Sequence, residues 1–325
     1  MKNQNLDKHI SRNLWNICLM WRVTNRCNFD CFYCINKLIP LKKPDKISKI
    51  NISCFLKTLK KTKKIFLINF AGGEPLLVPN FIDACKKITE KHFITINSNL
   101  FSKQIKDFSE EINPERVAFI NASFHLEELK KRNLIKNFIS NFSLLQKKGF
   151  KIRASVVAHP LILPKIREYK DFFRRNNINF TFILFCGEYK GKYYPRAYTL
   201  RELSNLGFNK KELKKYERFG KLCNTGYNLL VVSEEGEIYP HCSPMKRSLG
   251  NIYKKINFKK DLTICPYPFC SCPPEIIDPH TFELSLNAIL KLQFLLDKNI
   301  GKIGLFLKNH SPNLYYKLRK IKNEI

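Results

Sequence analysis

From about residue 15 to residue 185, six short runs rich in β-branched and aromatic residues alternate with amphipathic segments. The runs are Ile17–Val23, Ile65–Phe70, Phe93–Asn97, Val117–Ser123, Ile152–Ala158 and Phe180–Phe185. Their length and bounding turn residues predict strands. The intervening segments predict helices over Ile52–Thr62, Pro79–Glu90, Leu126–Lys148 and Ile166–Asn176. In the third of these, apolar residues recur at close to helical spacing up to Gly149. Repeated βα units make an α/β fold with a parallel sheet. Six of them form an open, partial (β/α)6 barrel, expected here over residues 1–200. In such folds the loops after the strand C-termini carry the chemistry.

The pattern changes after Cys186. The Tyr-, Gly- and Lys-rich stretch Gly187–Tyr198 reads as a loop. Asn228–Val232, a turn at Glu235-Gly236 and Glu237–Tyr239 read as a hairpin. A small hairpin-containing domain is expected over 201–280, followed by a helical segment over 281–325 that Gly301, Gly304 and Pro312 interrupt.

Twelve cysteines without a secretory signal argue for metal or redox chemistry rather than a disulfide framework. Cys18, Cys54, Cys85 and Cys186 stand singly among apolar neighbours and read as small buried hydrophobes. Cys27, Cys31 and Cys34 form a CxxxCxxC run directly after the first strand. Four thiolates saturate a [4Fe–4S] cluster, so three on one loop leave one iron open to a chelating small molecule. The competing reading is a zinc site, for which no fourth Cys or His stands nearby in the sequence.

With Tyr33 at its aromatic position, this run resembles the radical S-adenosylmethionine (SAM) superfamily signature CxxxCxΦC. Gly72-Gly73-Glu74-Pro75, at the end of the second strand, matches the family's GGEP element letter for letter. The resemblance implies that this element binds the methionine amino group of SAM. Two glycines let the backbone pass close to a ligand, and an adjacent carboxylate suits an ammonium. The resemblance also implies SAM contacts from Ser98 and Asn99 at the third strand end and from Ser123 at the fourth. Polar residues at strand ends are equally common helix caps. His125 is a substrate contact or general base, or else a capping or structural residue. Arg153 either points toward the SAM carboxylate or faces solvent.

Five further cysteines, Cys223, Cys242, Cys265, Cys270 and Cys272, flank and follow the predicted hairpin. Together with Leu222-Cys223-Asn-Thr-Gly226 they resemble the SPASM/twitch extension of radical SAM enzymes, which binds auxiliary clusters. Five candidates suffice for one auxiliary [4Fe–4S] cluster, with structural zinc as the alternative. The implied activity is reductive cleavage of SAM to a 5′-deoxyadenosyl radical that abstracts hydrogen from a substrate. The substrate is a small molecule, a glycan or lipid precursor, or a peptide. A reductant such as flavodoxin or ferredoxin is the implied partner. The short stretch before Cys27 is an expectation against a separate peptide-recognition domain.

The net charge is +31. Such an excess suits nucleic acid, an anionic membrane surface or an acidic partner, and equally follows from A/T-rich codon usage. The chain shows no recognised nucleic-acid module. A zinc-stapled RNA-binding protein without radical chemistry is nonetheless the alternative that the charge supports. Apolar and basic residues in Asn299–Lys322 suggest peripheral membrane contact. No run of 18 apolar residues free of charge exists, so a cytoplasmic location is expected.

Overall fold

Along the first six strands, residues alternate between two surroundings, one under the helices and one inside a lumen. The computed structural model describes residues 15–37, 46–215, 217, 219–239 and 248–265. The strands are β1 (Ile17–Thr24), β2 (Phe66–Gly72), β3 (Phe93–Ser98), β4 (Val117–Ser123), β5 (Ile152–Ala158) and β6 (Phe180–Leu184). Ile17, Leu19, Trp21 and Val23 of β1 join the large core beneath the helices. Cys18 instead packs with Leu67, Phe93, Ala118 and Leu229 in a separate cluster that floors the lumen. A period of two places these sets on opposite faces of the sheet.

Helices α1 (Ile52–Lys61), α2 (Phe81–Thr89), α3 (Gln104–Glu111), α4 (Leu126–Lys131), α5 (Ile135–Lys147) and α6 (Ile166–Arg175) connect the strands. Each buries an apolar stripe on the sheet's outer face. Phe55 of α1 meets Trp21 at 5.0 Å between ring centroids, and Phe81 of α2 meets Phe70 at 5.0 Å. Phe173 of α6 stacks on Phe180 at 4.4 Å. Burying each such ring stabilises the fold by roughly 2–3 kcal/mol.

The helix expected over Leu126–Lys148 is two helices. Asn133 lies at φ 56 in the left-handed region, a conformation that ends a helix and that Asn tolerates. Gly187–Tyr198, read as a loop, contains a hairpin of β7 (Gly187–Tyr189) and β8 (Lys192–Tyr194). Its two turn residues, Lys190 and Gly191, both have positive φ, as a tight hairpin turn requires. Helices α7 (Leu200–Leu206) and α8 (Lys210–Lys215) and strand β9 (Leu222–Cys223) follow.

The expected hairpin is present as β10 (Leu229–Val232) and β11 (Ile238–Tyr239), and it joins the main sheet. Strand β10 pairs parallel with β1, so the sheet runs β11-β10-β1-β2-β3-β4-β5-β6. All neighbours are parallel except β10 and β11. Short pairs β12 (Gly250–Asn251) with β13 (Lys255–Ile256), and β14 (Thr263–Ile264) with β9, complete the described structure. Among the described residues no helix is long and apolar enough to cross a membrane.

His92, just before β3, is buried, and its Nδ1 accepts a hydrogen bond from Phe66 N at 3.3 Å. Burial, aided by the Lys91 charge, pushes its pKa down to about 4. In the unfolded chain the imidazole takes a proton near pH 6.5 (about the free value). Between about pH 6.5 and pH 4 the unfolded state therefore binds more protons, and stability falls as pH falls. The loss across that window is on the order of 3 kcal/mol. His92→Asn keeps an acceptor and removes the titration. Its thermal midpoint should lose part of the acid dependence between those pH values, and a slope equal to wild type would refute this.

Candidate active site

The loop after β1 is fixed to the end of β2 by backbone contact. Gly73 N donates to Thr24 O at 2.7 Å, and Glu74 N donates to Arg26 O at 2.9 Å. A Cβ on Gly73 would stand 1.8 Å from Arg26 O, and one on Gly72 would stand 2.3 Å from Thr24 O. Gly72 also has φ 123, closed to ordinary side chains. The glycines are thus demanded by the chain's own crossing, whatever ligand approaches them.

Glu74 is buried, and its carboxylate is taken up internally. It accepts from Ser98 Oγ at 2.8 Å, Asn99 N at 2.8 Å and Leu76 N at 3.1 Å, capping the single turn Pro75–Leu77. Burial, opposed by these bonds, pushes its pKa up to about 7. Ser98 and Asn99 are likewise buried. Asn99 Nδ2 donates to Asn28 Oδ1 at 2.8 Å and approaches Cys27 Sγ at 3.8 Å. Glu74, Ser98 and Asn99 therefore brace the cysteine loop from behind.

On that loop Cys27 is exposed, Cys31 buried and Cys34 half-buried. Cys34 N donates to Cys31 O at 3.2 Å, and Phe29 N donates to Cys27 Sγ at 3.4 Å. Burial first, and then the charges of Cys27 and Cys34, push the Cys31 thiol up to about 12. The three sulfurs thus lie within one another's field. Among the described residues, however, no three Cys, His, Asp or Glu donors converge for a single metal ion. Three cysteine thiols on one loop are the donor chemistry that an iron–sulfur cluster takes.

Aromatic rings wall the loop. Tyr33 Oη and His125 Nδ1 share a hydrogen bond at 2.9 Å, and Phe29 packs edge-on to the His125 ring. Phe32 and Tyr33 lie against His159, which also meets Phe185. Burial pushes His125 down to about 4, so it is neutral at physiological pH. His159 is buried, and its Nδ1 accepts from Leu161 N at 3.3 Å.

Below this wall the inner face of the sheet is polar. Asn97 Nδ2 donates to Asn69 Oδ1 at 2.7 Å, and Asn121 Nδ2 donates to Asn97 Oδ1 at 3.0 Å. Register carries the row outward, since Arg22 pairs with Ala71, Asn97 with Asn121, and Asn121 with Arg153. The next step along β4 and β5 pairs half-buried Ser123 with buried Ser155. The Arg153 guanidinium lies over the Phe119 ring at 5.2 Å, so it is on the inner face and not in solvent.

A clamp on the loop comes from the far end of the described chain. Glu234, in the turn between β10 and β11, accepts from Asn25 N at 3.0 Å and Thr24 Oγ1 at 3.4 Å. Trp21 Nε1 donates to Ser233 O at 3.1 Å. Sequence reasoning missed Glu234, because an acidic turn residue carries no local sign of a partner some 200 positions earlier.

Of the second cysteine group, Cys223 and Cys265 are both buried. Cys223 pairs with Thr263 across β9 and β14, and Cys265 N donates to Lys221 O at 2.8 Å. Cys242, Cys270 and Cys272 lie outside the described residues.

Fold and site define a parallel α/β half-barrel enzyme with a three-thiolate loop at the C-terminal ends of its strands. Residues 21–174 match the model of the Radical SAM superfamily. It is similar to the GTP 3′,8-cyclase of Helicobacter pylori, 23% identical over 256 residues, 75% of this chain and 78% of that protein. The solved structure of anSMEcpe with bound AdoMet is similar in fold, with a TM-score of 0.52 and 18% identity over 74% of this chain and 78% of that one. Streptococcus suis SuiB bound to its precursor peptide SuiA has a TM-score of 0.53 and 16% identity over 74% of this chain and 63% of that one. None of these supports the RNA-binding alternative.

Two substitutions test the loop's support. Gly73→Ala drives a methyl into Arg26 O and should cost on the order of 3 kcal/mol or more. An unchanged thermal midpoint would contradict the crossing. Glu234→Ala removes a carboxylate shared by two loop donors and should lower the thermal midpoint by an amount matching roughly 1–3 kcal/mol. Glu234→Gln should recover part of it.

Proposed function

We propose that Cys27, Cys31 and Cys34 hold a [4Fe–4S] cluster, that SAM binds at its open iron, and that the substrate occupies the lumen beneath. When bound, the pair supplies reductive cleavage of SAM and hydrogen abstraction by the resulting 5′-deoxyadenosyl radical; the hard chemistry is the cofactor's. The carrying observation is the three-thiolate loop locked to the Gly72–Glu74 crossing at the rim of a polar lumen.

The chain's own residues position and shield. The Gly72–Pro75 backbone at the strand tip offers SAM a surface without side chains, while Glu74, Ser98 and Asn99 hold that surface rigid. This reassigns all three from the ligand contacts that the resemblance implies to support behind the motif. Ser123 stays on the inner rim as a direct contact. Neutral His125 fixes the Tyr33 ring and excludes water from Cys31.

Cys223 and Cys265 contribute to an auxiliary cluster, completed from Cys242, Cys270 and Cys272. A basic surface suits an acidic electron donor such as flavodoxin or ferredoxin, and a cytoplasmic setting follows from that partner. The named relatives act on a nucleotide in one case and bind a precursor peptide in another, so likeness alone does not select the substrate.

Cys31→Ala should abolish 5′-deoxyadenosine formation in iron-reconstituted, reduced protein supplied with SAM. It should retain the auxiliary iron, about half of the total if both clusters hold four irons. Unchanged nucleoside production by that variant, or zinc as the sole metal after anaerobic purification, would overturn the reading.

A further inference from the structure

The segment after β12 is rich in lysine, and one of its lysines is placed differently from the rest. Lys254, Lys255 and Lys260 are exposed, whereas Lys259 is half-buried. Its backbone N donates to Gly226 O at 2.7 Å. Its Nζ donates to Thr225 O at 3.1 Å and to Thr263 Oγ1 at 3.2 Å. Gly226 makes room for the aliphatic stem. It has φ 90, and a Cβ there would stand 2.7 Å from Lys259 Cδ. Drawing an ammonium partly out of water costs free energy, which these hydrogen bonds offset.

That ammonium stands beside the second cysteine group. Cys223 faces Thr263 across β9 and β14, and Cys265 continues the ladder by donating to Lys221 O. A period of two puts Cys223, Thr263 and Cys265 on one face of the ladder. Leu222 and Ile264, on the other face, are exposed. Lys259 Nζ therefore meets the cysteine face at Thr263. A second link runs through Thr225, whose carbonyl accepts from Lys259 and whose hydroxyl shares a hydrogen bond with Cys223 Sγ at 3.1 Å. Burial draws the Lys259 pKa down and the charge of Cys223 opposes it, so the two groups lie in one another's field. The surroundings suit an iron–sulfur group. Asn224, next in the chain to Cys223, is wholly buried, and neither end of its side-chain amide has a hydrogen-bond partner. An enclosed amide costs free energy unless a partner meets it, and cluster sulfurs accept hydrogen bonds.

We propose that Lys259 tunes the reduction potential of the auxiliary cluster, its positive charge beside Cys223 favouring the reduced form. This rests on the auxiliary [4Fe–4S] reading under Proposed function. Reduction adds one electron, and so one negative charge, to such a cluster, with no bond made or broken. Net charge, hydrogen bonds to sulfur and solvent exposure set its potential. The exposed lysines nearby are screened by salt, whereas a partly buried charge is screened much less. Lys259 acts through Cys223 and is a positioning residue, not a ligand.

The test is a dithionite redox titration of the iron-reconstituted full-length chain, read by electron paramagnetic resonance of the reduced cluster. It is run on the Cys31→Ala background, where the auxiliary cluster is read alone. Lys259→Met keeps the stem against Gly226 and removes the charge. It should shift the oxidised-to-reduced ratio at a given potential about tenfold toward the oxidised form, a fall of about 59 mV in midpoint for one electron. Lys259→Arg keeps the charge and should recover most of that shift, with iron content and circular dichroism unchanged in both. A midpoint in Lys259→Met equal to that of the parent would overturn the proposal. Loss of the auxiliary iron from Lys259→Met would equally overturn it, since the ammonium would then hold the site together rather than set its potential. Zinc, or no metal, in the Cys31→Ala parent would remove the cluster and the proposal with it, and that outcome is seen before Lys259 is altered.

Discussion

The site depends on two strand ends touching without side chains between them. Gly72 and Gly73 let the tip of β2 press its backbone against Thr24–Arg26, and two hydrogen bonds close the contact. Everything around that crossing serves it. Glu74 reaches back to Ser98 and Asn99, Asn99 reaches forward to Asn28, and Glu234 holds Thr24 and Asn25 from the opposite side. The three cysteines follow at once on a segment whose entry is fixed in position.

The two faces of the sheet divide the labour. The outer face is nearly all aromatic and aliphatic, with Trp21, Phe70, Phe124 and Phe173 at its centre. That packing supplies the stability against which the inner face can carry unpaired polar atoms. The lumen grades from an apolar floor through an amide row to hydroxyls at the rim.

Much of this is legible in the sequence because it is local. The period of two in β1 to β6 fixes which residues face outward, and Cys27, Cys31 and Cys34 stand on the loop directly after β1. The GGEP match falls on the turn at the tip of β2, where Glu74 is buried and accepts from three internal donors that the motif alone does not announce. The break at Asn133 is invisible to helical periodicity, since apolar residues continue in phase on both sides of it. The docking of β10 on β1 is a pairing between segments some 200 residues apart, and no neighbouring residue announces it. Cys223 and Cys265 come to stand two register positions apart for the same non-local reason, through β9 and β14.

That last kind of pairing bears on how the protein is made. Strand β1 emerges from the ribosome early, yet one of its two edges stays open until β10 has been synthesised. Glu234 and Ser233, which hold Thr24, Asn25 and Trp21, come later still. The support of the loop that follows β1 is therefore completed only after a segment some 200 residues downstream has been made, so its final geometry is a long-range product of folding rather than a local one.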